Sequence, residues 1–321
     1  MKIFLAGATG ALGKRLLPQL VTRGHHIIAT TRTPAKADAL RMAGAEPAVF
    51  DALDREAVMK AVASARPDVV VHQMTALANV RNYKKFDKEF TLTNRLRTEG
   101  TEYLLTAARA AGVRRFLAQS YTGWPNVRSG GRVKTEQDPL DPNPPKAMQQ
   151  SLQAIRQLEA MVSGASDVTG IVLRYGSFYG PGTSLGPAGE IVELVRQRKF
   201  PIVGGGAGVW SFIHIDDASS ATRIAIEGGP AGIYNIVDDE PAEVSVWLPD
   251  LARVLGAKPP RHLPAWLGRL VIGETVVSMM TSVRGSSNSK AKQMLNWQPG
   301  YASWRDGFRG GFAGKHVDLG L

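Results

Sequence analysis

Apolar residues recur with two alternating periods along the first half of the chain, which predicts strands and helices in turn. Short apolar runs bounded by glycine, proline or charged residues indicate buried strands, and apolar residues three or four positions apart between them indicate helices. The predicted strands are residues 2–6, 26–31, 47–50, 68–72, 114–119 and 169–174. This alternation is typical of an α/β fold with a doubly wound, mostly parallel sheet.

The pattern changes after Tyr175, where the predicted segments become shorter and glycine-rich turns more frequent. We therefore expect two domains. Residues 1–174 would form the first, completed by a segment near 211–236, and residues 175–321 would form a smaller second domain.

A glycine-rich turn connects the first predicted strand to an amphipathic helix. The turn is Gly7-Ala8-Thr9-Gly10-Ala11-Leu12-Gly13. The first glycine permits a tight turn, the second lets the backbone approach a pyrophosphate, and the third lets helix and strand pack closely. Free amides and the positive end of the helix dipole favour phosphate at the same point. The sequence therefore predicts a Rossmann-type site for a dinucleotide.

The ends of the next two strands bear on which dinucleotide binds. Arg32 follows the second strand, where NAD-binding proteins usually carry an acid, and no acid occurs before Asp38. A guanidinium suits a 2′-phosphate, so we expect NADP(H) to be favoured over NAD(H). The alternative is a solvated arginine ahead of a helix capped by Thr33. Asp51, followed by Ala52, ends the third strand, where its carboxylate can meet the adenine or cap the next helix.

Composition narrows the classes of function. The chain has no cysteine, which removes disulfides, thiolate nucleophiles and Cys-ligated zinc. Its formal charge of +11 comes from scattered lysines and arginines without an aromatic–basic module, so we expect a phosphorylated cofactor and no nucleic acid. No apolar run has transmembrane length and the chain starts with a strand. We therefore expect a cytoplasmic protein that acts on a small molecule, away from membranes.

Further landmarks follow the glycine turn in a fixed order. They are Val71-His72, Gly100-Thr101, Leu173-Arg174-Tyr175-Gly176, Tyr179-Gly180-Pro181-Gly182, Phe212-Ile213-His214-Ile215-Asp216-Asp217, Tyr234-Asn235-Ile236 and Leu295-Asn296-Trp297-Gln298-Pro299. Over nearly the whole chain this set resembles the extended short-chain dehydrogenase/reductase superfamily, in its NAD-dependent epimerase/dehydratase group. The resemblance implies a Rossmann domain, a smaller substrate-binding domain and a homodimer as one oligomeric state open to the chain.

Position by position, the resemblance also implies which residues line the cofactor. They are Gly7, Thr9, Gly10, Ala11, Leu12 and Gly13 at the pyrophosphate, Arg32, Asp51 and Ala52 around the adenosine half, Gln73 and Met74 beneath the pyrophosphate and ribose, and Tyr175, Gly176 and Ser177 beside the nicotinamide. His72 and His214 fall on positions with a structural role in the family. We expect no metal site.

The chain departs from the family at the reacting centre. The family's reductive chemistry uses a Tyr-x-x-x-Lys pair, whose lysine lowers the pKa of the tyrosine and holds the ribose. None of the seven tyrosines here has a lysine four residues later. With the helix aligned on Glu159, Ser151 stands at the tyrosine position and Ile155 at the lysine position.

Tyr121 is the candidate to replace the missing tyrosine. It follows Ser120 just after the fifth strand, and Ser120 or Thr122 could orient its phenol. A phenol without a neighbouring cation keeps a pKa of about 10, so it would serve as a hydrogen-bonding acid and not as a base. The alternative is that Tyr121 only packs against the nicotinamide or a covering loop.

These observations favour an NADP(H)-dependent oxidoreductase of atypical extended type that acts on a small carbonyl-type substrate. An epimerase, isomerase or lyase that uses a bound NAD(P) is a second hypothesis. A non-catalytic protein that senses NAD(P) is a third, since fold alone never fixes function.

Overall fold

A seven-stranded parallel sheet lies at the centre of the computed structural model, which describes residues 1–77, 80 and 82–312. The strands are β1 (Lys2–Ala6), β2 (His26–Thr31), β3 (Glu46–Val49), β4 (Val69–His72), β5 (Arg115–Tyr121), β6 (Val133–Lys134), β7 (Thr169–Tyr175), β8 (Ser177–Tyr179), β9 (Ile202–Val203), β10 (Val209–Trp210), β11 (Phe212–His214), β12 (Gly232–Ile236), β13 (Ala242–Glu243), β14 (His262–Leu263) and β15 (Gly285–Ser286).

The helices alternate with these strands in the first half of the chain. They are α1 (Ala11–Thr22), α2 (Ala37–Met42), α3 (Arg55–Ala65), α4 (Phe86–Glu89), α5 (Thr91–Arg95), α6 (Thr101–Ala110), α7 (Gln149–Ser163), α8 (Glu190–Arg196), α9 (Ile215–Gly228), α10 (Val244–Val254), α11 (Ala265–Val271), α12 (Glu274–Thr281), α13 (Ser289–Leu295) and α14 (Trp304–Phe312). A π-helical turn, Leu96–Gly100, joins α5 to α6, where the sequence predicts an ordinary helix from Glu99.

The central sheet has the strand order β12-β7-β5-β4-β1-β2-β3. The chain therefore winds outward in both directions from β1, and the order reverses between β1 and β4. Ala6 of β1 lies beside His72 of β4 at the carboxyl ends of these two strands. Ligands of doubly wound sheets bind in the crevice at this reversal. The predicted fold class is confirmed.

Helices cover both faces of the central sheet, which explains why its strands are continuous apolar runs. One buried cluster packs α1 and α9 against the sheet, with Leu16 and Ala221 among its members. A second cluster packs α3, α6 and α7 against the other face, with Val58, Leu104 and Leu158. Both clusters hold the strand ends in place around the crevice.

The later part of the chain has its own core, rich in aromatic side chains. Phe212 of β11 meets Trp247 of α10 edge to face, with ring centroids 5.4 Å apart. Trp304 and Phe308 of α14 pack against the same side chains. Aromatic residues of this size bury large apolar areas, which stabilises this part of the chain. None of the described helices is both long and apolar enough to cross a membrane.

Candidate functional site

The glycine turn has the geometry that a pyrophosphate requires. Gly7 has φ +98°, and a Cβ there would lie 2.6 Å from the carbonyl oxygen of Gln73. A Cβ on Gly13 would lie 2.4 Å from the carbonyl oxygen of Gly7, so this glycine lets α1 approach β1. Gly10 is different, because a Cβ there meets only the Gly7 carbonyl oxygen, at 3.4 Å. The open side of Gly10 is where a ligand can approach the backbone.

Helix α1 begins at this open side without a capping side chain. Gly10 is its N-cap residue, and the first turn contains no acidic residue. The first-turn amides of a helix have no partner within the helix, and their dipoles favour an anion. Thr9, Ala11 and Leu12 surround this point in the sequence, as the family resemblance implies.

Gln73 lies at the end of β4, directly beneath the glycine turn. Its side chain is buried, and its Nε2 donates to the Tyr175 hydroxyl at 3.1 Å. Its Oε1 is buried and has no hydrogen-bond partner among the described residues. A buried acceptor without a donor is costly, and a bound molecule in the crevice would satisfy it.

Both histidines named from the sequence stabilise turns. His72 accepts a hydrogen bond from the Met74 amide at Nδ1 (3.2 Å) and donates from Nε2 to the carbonyl oxygen of Leu96 at 3.0 Å. Burial lowers the pKa of His72 to about 4, so the ring is neutral. His214 caps α9 by accepting from the Asp216 amide. Within the described ranges, no three His, Cys, Asp or Glu side chains are placed to hold a metal ion.

Two polar residues predicted near the adenosine half lie at the adjoining strand ends. Arg32 follows β2 and is exposed. Its side chain forms no hydrogen bond or ion pair with any described residue. Asp51 follows β3 and accepts a hydrogen bond from the Leu53 amide at 2.9 Å. The cap of α3 is Asp54, which accepts from the Ala57 amide, so the alternative that Asp51 caps this helix is wrong. Ala52, beside Asp51, is buried.

In the segment predicted beside the nicotinamide, residues 175–177, the side chains of Tyr175 and Ser177 lie on opposite sides. The Tyr175 hydroxyl is buried against α9, at 2.7 Å from Thr222 Oγ1, and burial raises its pKa. Its phenol therefore supports the floor of the crevice. Gly176 packs tightly, because a Cβ there would lie 2.7 Å from the carbonyl oxygen of Ser211. Ser177 is partly exposed and presents its hydroxyl on the other side.

Tyr121 and Ser177 form a pair of hydroxyl groups at the carboxyl end of the sheet. Their oxygens lie 3.0 Å apart. Burial raises the pKa of the Tyr121 phenol, while the hydrogen bond to Ser177 acts in the opposite direction. Tyr121 is therefore protonated at neutral pH and can donate a hydrogen bond, but it is not a base.

Ser120 points to the opposite face of β5, as successive residues of a strand do. Its hydroxyl is buried and donates to Glu159 Oε1 at 2.7 Å. Glu159 also forms a bidentate ion pair with Arg174, at 2.8 and 2.6 Å. This placement corrects the expectation that Ser120 orients the phenol of Tyr121. Ser120 instead ties the end of β5 to α7.

Nothing at the positions of the family's dyad can exchange a proton with a substrate oxygen. The Ser151 hydroxyl donates to Asp87 Oδ1 at 2.6 Å and accepts from Asn94 Nδ2 at 3.1 Å. Ile155 is fully buried in an apolar cluster. The departure predicted from the sequence is therefore also a departure in chemistry.

Aromatic rings occupy the space behind Tyr121. Its ring stacks on Trp124, with centroids 6.4 Å apart and planes 29° apart. Trp124 meets Phe86 edge to face at 5.3 Å, and Phe86 stacks on Phe90 at 3.9 Å. This wall has no local signal in the sequence, because Phe86 and Phe90 precede Trp124 by more than thirty residues. Trp124, Phe86 and Phe90 are buried, and Tyr121 is the partly exposed end of this wall.

The residues of the crevice thus fit a dinucleotide, on the evidence of the glycine turn and the unpartnered Gln73 oxygen. The Tyr121–Ser177 pair and the aromatic wall lie at the β5 side of the same edge. That the predicted residues bind cofactor and substrate stays a prediction.

The chain is similar to known proteins over most of its length. A model of the family described as "NAD dependent epimerase/dehydratase family" matches residues 3–237. The chain is 45% identical over 311 residues to a 3-diazoavenalumate denitrifying reductase from a Streptomyces species, covering 96% of this chain and 99% of the relative.

A second relative and a solved structure are more distant. A 4-hydroxy-2-methyl-3-oxo-4-farnesyl-3,4-dihydroquinoline-1-oxide ketoreductase from Stigmatella aurantiaca is 30% identical over 262 residues, covering 80% of this chain and 74% of the relative. The crystal structure of a UDP-glucose 4-epimerase from Thermotoga maritima superimposes with a TM-score of 0.77 at 21% identity, covering 98% of both chains. This last likeness concerns the fold alone.

Proposed function

We propose, from the premise that this chain belongs to the NAD-dependent epimerase/dehydratase family and is an NAD(P)-dependent oxidoreductase within it, that it reductively removes nitrogen from an aromatic diazo compound with NADPH. The relative at 45% identity is named for a reaction of this class and matches nearly the whole chain. Its name and that of the ketoreductase favour net reduction over the isomerase, lyase and non-catalytic hypotheses.

The observation that carries this proposal is the chemistry at the dyad positions. A carbonyl oxygen must receive a proton when hydride adds to its carbon, and the family's tyrosine normally provides it. Here the Ser151 hydroxyl is hydrogen-bonded to Asp87 and Asn94, and Ile155 has an apolar side chain. A site without this acid suits a substrate whose reduction needs no proton at an oxygen.

Reduction of a diazonium group meets that condition. When bound, reduced nicotinamide supplies a hydride. In the net reaction, Ar–N₂⁺ + H⁻ → Ar–H + N₂, the C–N bond breaks, N₂ leaves with its electron pair, and the hydride pair forms the C–H bond. No proton is transferred. The aryl ring of such a substrate is planar and would pack on Tyr121, the partly exposed end of the aromatic wall.

The residues around this space have distinct parts in the proposal. Tyr121 and Ser177 hold a polar group of the substrate by hydrogen bonds, and Tyr121 stays protonated because burial raises its pKa. Ser120 holds the end of β5 against α7 through its hydrogen bond to Glu159, and so positions the neighbouring Tyr121. Gly7, Gly10 and Gly13 admit the pyrophosphate. Arg32, which is exposed at the end of β2, would select NADPH by its 2′-phosphate.

The proposal is tested by comparing two substrates on one ring. The purified protein would receive NADPH and either an arenediazonium ion or the ketone that carries an acetyl group in place of the diazonium group. We expect NADPH oxidation, followed by its absorbance, with the diazonium and little with the ketone. The small carbonyl-type substrate inferred from the sequence stays a prediction. Oxidation with the ketone alone would support it and contradict the diazo proposal.

A further inference from the structure

Arg97 is a buried cation in the π-helical turn between α5 and α6. Only 5% of the residue is exposed, and its Nη1 has no hydrogen-bond partner among the described residues. Burial lowers the pKa of Arg97 to about 10, while Glu159 acts in the opposite direction. The guanidinium therefore remains charged at neutral pH. A buried charge without a full set of partners is strongly unfavourable unless a ligand completes them.

Glu159, the carboxylate whose charge raises the pKa of Arg97, already accepts hydrogen bonds from other side chains. Both of its oxygens accept from Arg174, and Oε1 also accepts from Ser120. Among the described residues, these contacts join two guanidinium groups, those of Arg97 and Arg174, to one carboxylate, that of Glu159. This cluster carries an excess positive charge and lacks an acceptor for Arg97.

The position of the π-helical turn relative to the crevice follows from the contacts of Leu96 and Gly100. The carbonyl oxygen of Leu96 accepts from His72 at the end of β4. The Met74 Cε lies 3.8 Å from the point where a Cβ on Gly100 would be. The turn therefore packs against the carboxyl end of β4, close to the end of β5.

The sheet order then separates the two halves of a dinucleotide. The glycine turn follows β1, and the residues predicted around the adenosine follow β2 and β3, on one side of it. Strands β4 and β5 lie on the other side, which is the nicotinamide side of a dinucleotide bound across the crevice. The π-helical turn that carries Arg97 lies on that side.

We infer that Arg97 binds the cofactor, donating from its guanidinium to the ribose on the nicotinamide side. This inference rests on the proposed function, because it requires a bound dinucleotide. Arg97 would supply from the π-helical turn a cation that Ile155 cannot supply from α7. The ribose oxygens would accept from Arg97 Nη1, which has no hydrogen-bond partner among the described residues.

The test separates the two halves of the cofactor by calorimetric titration. NADPH carries both halves, whereas adenosine 2′,5′-bisphosphate carries only the adenosine half. Both would be titrated into the wild-type protein, Arg97→Met and the control Arg95→Met. Arg95 lies two residues earlier, is half exposed and pairs with Glu99. The Tm of each protein would be measured in parallel.

We expect Arg97→Met to weaken NADPH binding by about 10- to 100-fold, the effect of one hydrogen bond to a charged group. Binding of the bisphosphate should stay within about twofold, and Arg95→Met should change neither. The Tm of Arg97→Met should be unchanged or higher, because an unpaired buried charge has been removed. If Arg97→Met does not fold, Arg97→Lys keeps the charge and serves for the same comparison, with a smaller selective loss.

Two results would overturn the inference. Unchanged NADPH binding in a folded Arg97 variant would mean that the guanidinium does not meet the cofactor. Equal weakening of NADPH and of the bisphosphate would mean that Arg97 only maintains the fold. If the wild-type protein binds neither ligand, the proposed function fails together with this inference.

Discussion

The hydroxyl of Tyr121 lies 3.0 Å from the hydroxyl of Ser177, which joins the end of β5 to the start of β8. This contact brings together residues 56 positions apart. It is possible because β5 and β7 pair in parallel register, with Tyr121 opposite Tyr175. The two hydroxyls lie beside the aromatic wall of Tyr121 and Trp124, and the effect of replacing Tyr121 depends on their arrangement.

Replacement of Tyr121 by phenylalanine should reduce kcat/KM for the diazo substrate about 10-fold, because one hydrogen bond to the substrate is lost. Steady-state kinetics would measure this effect. Tyr301→Phe is the matched control, since the Tyr301 ring packs on His214, with ring centroids 4.0 Å apart, and forms no ring contact or hydrogen bond with the described residues Tyr121 and Ser177. An unchanged kcat/KM in Tyr121→Phe would exclude its phenol from the substrate site.

Replacement of Arg32 by alanine should weaken NADPH binding about 10- to 100-fold and leave NADH binding nearly unchanged, because only NADPH offers a 2′-phosphate. Calorimetry with both cofactors would measure the difference. Arg41→Ala removes another exposed arginine, which pairs with Asp38, and should affect neither cofactor. Equal losses of NADPH and NADH in Arg32→Ala would show that Arg32 does not select the phosphate.

Substitution of Gly10 by aspartate should abolish cofactor binding without lowering the stability of the protein. Gly10 is the N-cap of α1 and has φ −77°, so aspartate fits there without strain and caps the helix better by a few tenths of a kcal/mol. The Tm should therefore be unchanged or slightly raised. Cofactor binding should be abolished, because the carboxylate occupies the place of the pyrophosphate.

The control for this substitution is Gly205→Asp. Gly205 is exposed with no atom near its missing Cβ, so the variant adds the same charge elsewhere and should bind normally. Retained dinucleotide affinity in Gly10→Asp would remove the glycine turn from the site.

Asp238 should make the protein less stable as the pH rises. Its side chain is buried with Oδ2 unpartnered among the described residues, and burial raises its pKa to about 8. Between about pH 4 and pH 8 the unfolded chain has lost this proton and the folded chain keeps it. Each pH unit in this window therefore lowers the free energy of unfolding by roughly 1 kcal/mol.

Asp238→Asn should flatten this dependence, because the amide oxygen can still accept from the Glu240 amide. The variant should gain stability relative to wild type at pH 8 but little at pH 5, as measured by urea unfolding. Asp167→Asn, at an exposed pair with Arg109, is the control and should keep the wild-type slope. Identical slopes for Asp238→Asn and wild type would show that Asp238 ionises normally.

The sequence could predict the features that depend on local pattern. The apolar runs gave the strands of the first half, and the spacing of Gly7, Gly10 and Gly13 gave the turn, because both follow from neighbours along the chain. The absence of a lysine four residues after any tyrosine was equally visible. These features place the crevice and define what it lacks.

Contacts between distant segments could not be predicted in the same way. Ser120 and Tyr121 are adjacent in sequence, yet the first meets Glu159 and the second meets Ser177, since a strand alternates its faces. The excess charge at Arg97 becomes visible only when Arg174 is seen to engage both oxygens of Glu159. Neither arrangement has a signal in residue spacing.

The amount of nitrogen released decides whether the protein carries out the proposed reaction. The purified protein would be incubated with an arenediazonium ion and limiting NADPH, and the gas would be measured by mass spectrometry beside an enzyme-free control. We predict one mole of N₂ and one mole of the arene for each mole of NADPH oxidised. NADPH oxidation without N₂, with the diazo nitrogens kept on the product, would contradict the proposal.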